Sequence, residues 1–178
     1  MNDRSLRMMA SVGLAVGGAL GLAGSFAPSA SLRGLAWGID GIALVTACAL
    51  LTLRYLRLGQ EVLAAGFLVF AIGESLLVSG AAMDLDRGAA SFGGGVGLWA
   101  AGLGLISSPA VFPLAARLLG AAAALLFATT ACCILAGEPL TPLSQPLPFF
   151  GYPVVVATFV AWIVHLVQDD SAAARPPR

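Results

Sequence analysis

Apolar residues run along this chain in six long stretches, near 6–26, 36–54, 62–83, 92–112, 114–136 and 149–167, separated by gaps that hold charge or proline. Each stretch is close to the roughly 20 residues a helix needs to cross a bilayer. The pattern predicts an all-α integral membrane protein: one six-transmembrane-helix bundle over 1–168, then a short disordered tail at 169–178. The fourth stretch differs from the rest. Pro109 and Pro113 break its end, so it reaches full length only by continuing through Pro109 with a kink. Five spans in place of six would reverse the C-terminus.

Composition supports the same class without any window. The chain is 59% hydrophobic and only 10% charged, with a mean hydropathy of +0.94, whereas soluble domains carry about 25% charge. All nine basic residues are arginine, which with the alanine and glycine richness fits a GC-rich bacterial genome and an inner (plasma) membrane location. Arg4 and Arg7 before the first run, and Ser25-Phe26-Ala27 after it, have some features of a signal peptide. The run exceeds a usual signal core of about 7 to 15 residues, and Pro28 disfavours cleavage, so it is read as a helix.

Arginine placement orients the spans, because cytoplasmic loops retain positive charge during insertion. With the N-terminus inside, Arg4, Arg7, Arg54, Arg57, Arg117, Arg175 and Arg178 are cytoplasmic, and only Arg33 and Arg87 face out. Both termini are then cytoplasmic, and the periplasmic loops hold Asp84, Asp86 and Glu138.

Glycines predict how helices meet. Gly13, Gly17 and Gly21 recur every four positions on one face of the first span, as do Gly93, Gly97 and Ala101 on the fourth. The third span carries Gly66, Gly73 and Gly80 at intervals of seven. Small faces let backbones approach, and packing is preferred here over a permeation path. The two glycine-faced spans are also alike. Gly21-Leu22 and Pro28 match Gly102-Leu103 and Pro109 at a shift of 81; Arg33, Leu35, Thr46-Ala47-Cys48 and Leu51 match Arg117, Leu119, Thr130-Ala131-Cys132 and Leu135 at a shift of 84. A repeat of three helices must insert its second copy upside down, giving two inverted three-helix repeats. Chance likeness of two Ala- and Gly-rich hairpins explains the matches equally well.

Candidate chemistry lies with residues that are costly in lipid. Glu74 stands near the middle of the third span, where an ionised carboxylate costs roughly 2.5 to 3.5 kcal/mol on insertion scales. It needs a partner or a proton. Asp40 is placed about a turn inside the outer end of the second span, where snorkelling or an interfacial pair with Arg33 or Arg87 accounts for it. Sorted by depth, Asp40, Glu74, Trp99, Thr129, Thr130 and Tyr152 all fall in the outer half, and they are the candidates for one pocket. Trp99 matches Glu74 in depth to within a turn, so its indole N–H is a candidate donor to that carboxyl. The proline-rich stretch from Gly137 to Pro153 is read as an extended connector rather than a lid.

Missing residue types exclude several functions. Without lysine the chain holds neither a retinal or pyridoxal Schiff base nor a phosphate-loop lysine. Its one histidine, His165, cannot supply paired haem ligands or a histidine metal cluster. Cys48 and Cys132 are expected about 15 Å apart in depth, too far for a disulfide. No cofactor and no metal site is expected, no catalytic motif occurs, and the arginines are too dispersed for nucleic acid. Two readings stay open. One is a small-solute or proton-coupled carrier with Glu74 as coupling carboxylate; the other is a non-transporting membrane subunit or scaffold, as a homo-oligomer or in a membrane complex, whose glycine faces dock other helices. The bilayer is a partner in either case.

Overall fold

The computed structural model describes residues 2–82, 85–145 and 147–173, and among these every regular element is helical. The helices are α1 (Asp3–Ser25), α2 (Ala30–Arg57), α3 (Glu61–Ala82), α4 (Leu85–Ser107), α5 (Leu114–Leu135) and α6 (Tyr152–Ala173), with one π-helical turn, Leu147–Gly151, leading into α6. Six are long and apolar enough to cross a membrane. Asp84, Pro146, Arg175 and Arg178 lie outside the described residues, as does the tail beyond Ala173.

Local chemistry sets the helix ends. The Asn2 side chain accepts from Ser5 N at 2.8 Å and Ser29 Oγ accepts from Leu32 N at 3.2 Å, capping α1 and α2. At the other ends Gly59 and Gly137 adopt φ of 70° and 94°, which lets Gln60 N and Glu138 N reach back to the carbonyls of Tyr55 and Cys133. The fourth helix departs from expectation. It does not run through Pro109 with a kink; it starts at Leu85, earlier than the apolar run, and stops at Ser107. Helical backbone is disfavoured before proline. The freed carbonyls of Ser107 and Ser108 each accept from the Arg117 guanidinium at 2.9 Å, so the stop is capped from α5.

Each helix packs against its neighbours in chain order, and α6 returns to α1, closing a ring of six. Asp3 meets Arg54 and Phe112 meets both Tyr55 and His165, which places the starts of α1 and α5 beside the ends of α2 and α6. These residues mark a terminal end, which holds the start of α1 and the end of α6. Aromatic rings fill the axis above it: Tyr55 stacks on Phe67 at 5.6 Å, Phe67 meets Trp162 at 5.3 Å, and Phe70 meets Phe159 at 5.9 Å. In lipid such van der Waals packing, rather than hydrophobic exclusion, holds helices together.

The closest seam joins α3 and α4. Gly66, Gly73 and Gly80 face Gly102, Gly95 and Gly88, two heptad-spaced rows running antiparallel. A Cβ at Gly73 would lie 2.9 Å from Gly95 O, and one at Gly95 would lie 2.7 Å from Gly73 O. Gly66 and Gly102 reciprocate at 3.0 and 2.9 Å. Each glycine therefore faces its partner's carbonyl, a contact no larger residue permits without moving a helix. Gly93 and Gly97 occupy another face of α4, toward Ile134 and Ala131 of α5. On α1, Gly13 and Gly17 face Ala43, Ala47 and Leu44 of α2.

Candidate functional site

A cavity of about 40 Å³ lies within the ring toward the end opposite the termini, walled by α1, α2, α3, α4 and α6. By volume it holds about three water molecules. Two acidic side chains reach it. Glu74 stands eight residues before the end of α3 and is 2% exposed; Asp40 stands ten residues after the start of α2 and is 6% exposed. The carboxyls are close enough to act on one another electrostatically.

Asp40 does not snorkel outward. Ten residues after the start of α2, it is turned into the ring and lines the cavity. Of its two candidate partners, Arg33 and Arg87, the first has its guanidinium 5.9 Å from the centre of the Trp37 ring. The room for Asp40 comes from α1. A Cβ at Gly21 would lie 2.6 Å from Asp40 Oδ2, and one at Gly17 would lie 3.1 Å from Oδ1. Trp37 fixes the same seam by donating its indole N–H to Gly21 O at 3.2 Å. Gly41, the next residue on α2, plays the same part for Glu74, whose Oε1 would lie 3.4 Å from a Cβ there.

Trp99 completes the polar set. Its ring stacks on Phe70 at 4.6 Å and meets Phe127 and Tyr152 edge-on at 5.2 and 6.4 Å, so packing holds it rigidly. Its indole interacts with the Glu74 carboxyl, yet Nε1 completes no hydrogen bond of good geometry with any protein atom. Asp40 Oδ1 and Glu74 Oε2 are buried without a partner in the same way. Three orphaned polar atoms thus belong to residues lining one small cavity, where buried polar groups normally find partners.

Of the six sequence candidates, Asp40, Glu74, Trp99 and Tyr152 line the cavity, whereas Thr129 and Thr130 do not. Both threonines are on α5, which contributes no lining residue because Phe127 packs against Trp99 and Tyr152 in its place. Each hydroxyl donates to the carbonyl four residues earlier, Leu125 O at 2.9 Å and Leu126 O at 2.8 Å. Trp37 was missed by sequence reasoning; its position one turn from Asp40 was the available signal. The stretch after Gly137 enters the bundle instead of hanging free, since Leu140 and Leu147 are buried and Gly151 packs on Phe127.

No lining residue is basic, and the remaining walls are Gly, Ala, Leu, Val and aromatic side chains. The arrangement can hold a proton or a cation between two carboxyls, with an indole N–H beside one of them. Comparison of the chain with family models, with curated proteins and with solved structures finds no match.

Proposed function

We propose that the chain is a small-solute carrier of a bacterial inner membrane in which Asp40 and Glu74 form the exchange site for a proton or cation. One observation supports this above the others: two carboxyls deep in a helix bundle share a cavity with no basic residue in its wall. Two ionised carboxylates there would each be costly and would repel, so the pair requires a proton or a positively charged occupant. A scaffold has no need of a second buried acid facing the first.

Orientation and symmetry belong to the same proposal. Arg4, Arg7, Arg54, Arg57 and Arg117 stand toward the terminal end and Arg33 and Arg87 toward the other, so the positive-inside bias puts both termini in the cytoplasm and the cavity in the outer half. Helices α1–α3 and α4–α6 then form two arcs of an inverted three-plus-three arrangement. They share the glycine seam of α3 and α4 and meet again between α6 and α1, beside the cavity, where one arc rocks against the other.

Proton flux in reconstituted vesicles tests the reading. Wild-type protein moves protons under a solute gradient, and Glu74→Gln reduces that flux to the level of empty vesicles while eluting as a folded species. Full flux in Glu74→Gln removes the coupling role; a variant that fails to assemble, from a wild type that carries no flux, supports the scaffold instead.

A further inference from the structure

The two orphaned carboxyl oxygens also define what the cavity accepts. Asp40 Oδ1 and Glu74 Oε2 are acceptors without donors, and the wall offers no basic side chain to supply them. An anion is repelled by both carboxyls. A hard metal cation takes six or more oxygens, and the lining side chains supply only the two acids and the Tyr152 hydroxyl, so such an ion would keep much of its water. Among the described residues no three His, Cys, Asp or Glu side chains come together as ligands. An ammonium group meets the site on its own terms. Its N–H bonds are the missing donors, and its carbon substituents suit a wall that includes Trp37, Phe92, Trp99 and Phe159. Size favours a small occupant, because the cavity volume is about 40 Å³.

We infer that the cavity binds a small alkylammonium cation, such as methylammonium, between Asp40 and Glu74. The inference rests on the reading of these two residues as the exchange site and names the solute class for it. The other titratable group lining the cavity is Tyr152 of α6; Cys48 lies two turns along α2 from Asp40, outside the lining. Trp99 on α4 and the glycines of α1 carry no titratable group, and α5 does not reach the cavity.

Tryptophan fluorescence of the purified full chain reads occupancy, since Trp37 and Trp99 line the cavity and Trp162 sits in the aromatic column. At fixed ionic strength and pH, methylammonium chloride gives a saturable change, while sodium chloride and the bulky tetraethylammonium chloride give none. Asp40→Asn and Glu74→Gln each weaken methylammonium binding about tenfold or more, the loss expected on removing one charged hydrogen-bond acceptor. Equal responses to all three salts, no saturable response, or unchanged affinity in both variants overturns the inference. If neither variant folds, the three-salt series on wild-type protein decides alone. Glu74-dependent proton flux without a methylammonium response defeats the cation class and leaves the carrier reading; saturable methylammonium binding without any flux leaves the site and defeats the carrier.

Discussion

The two ends of the bundle treat buried charge in opposite ways. At the terminal end one acid meets two bases: Asp3 accepts from Arg54 Nε at 3.0 Å and pairs with Arg7 at 3.4 Å, and the Arg54 guanidinium lies 5.1 Å from the centre of the Tyr55 ring. Toward the other end two acids line one cavity, and no base lines it with them. In the first, each base has an acid beside it. The second is complete only with a proton or a cation, which is why the first is assigned to holding α1 against α2 and the second to function.

Exchanging the roles of these clusters would break that contrast. Asp3→Asn takes the shared carboxylate from two buried arginines and lowers stability by about 1 to 3 kcal/mol; a fully buried pair would lose more, but half of the Asp3 side chain is exposed and screened. Its thermal midpoint in detergent falls by several degrees with methylammonium affinity unchanged, whereas Glu74→Gln keeps its midpoint and loses the affinity. A destabilised Glu74→Gln beside a neutral Asp3→Asn would invert the assignment.

A smaller effect sharpens the comparison within the cavity. Gly21→Ala places a methyl 2.6 Å from Asp40 Oδ2, closer than side chains tolerate, so the carboxyl must move away. Methylammonium affinity should fall a few-fold and stability by about 1 kcal/mol, the lower end of overpacking costs. Gly34→Ala on α2 meets nothing within 4 Å and should change neither in the same titration. Equal behaviour of the two alanine variants would remove α1 from the site.

The number of helices was legible because bilayer thickness writes itself into the length of an apolar run. Helix ends were not, since caps and prolines set them, and that hid the site. Ser29 begins α2 six residues before its apolar run near 36, and the glycines of α1 that make room for Asp40 could not be paired with it from sequence. Arg117 allowed α4 to stop before Pro109, so no kink was needed. Glycine spacing was readable where glycines are sparse, as at Gly66, Gly73 and Gly80, but α4 holds so many that the row of Gly88, Gly95 and Gly102 was obscured by Gly93 and Gly97. Depth alone grouped Thr129 and Thr130 with the acids. Only the ring order shows that α5 has α4 and α6, not α2 and α3, as neighbours.

Infrared difference spectroscopy of the carboxyl stretching region tests most directly whether Asp40 and Glu74 act as one unit. The Glu74 band is assigned by its loss in Glu74→Gln, then followed in Asp40→Asn across a pH titration. Two acids sharing a cavity titrate jointly, so Asp40→Asn should displace both the position of the Glu74 band and the pH at which it changes. A Glu74 band that titrates identically with and without the Asp40 carboxyl would contradict the shared site.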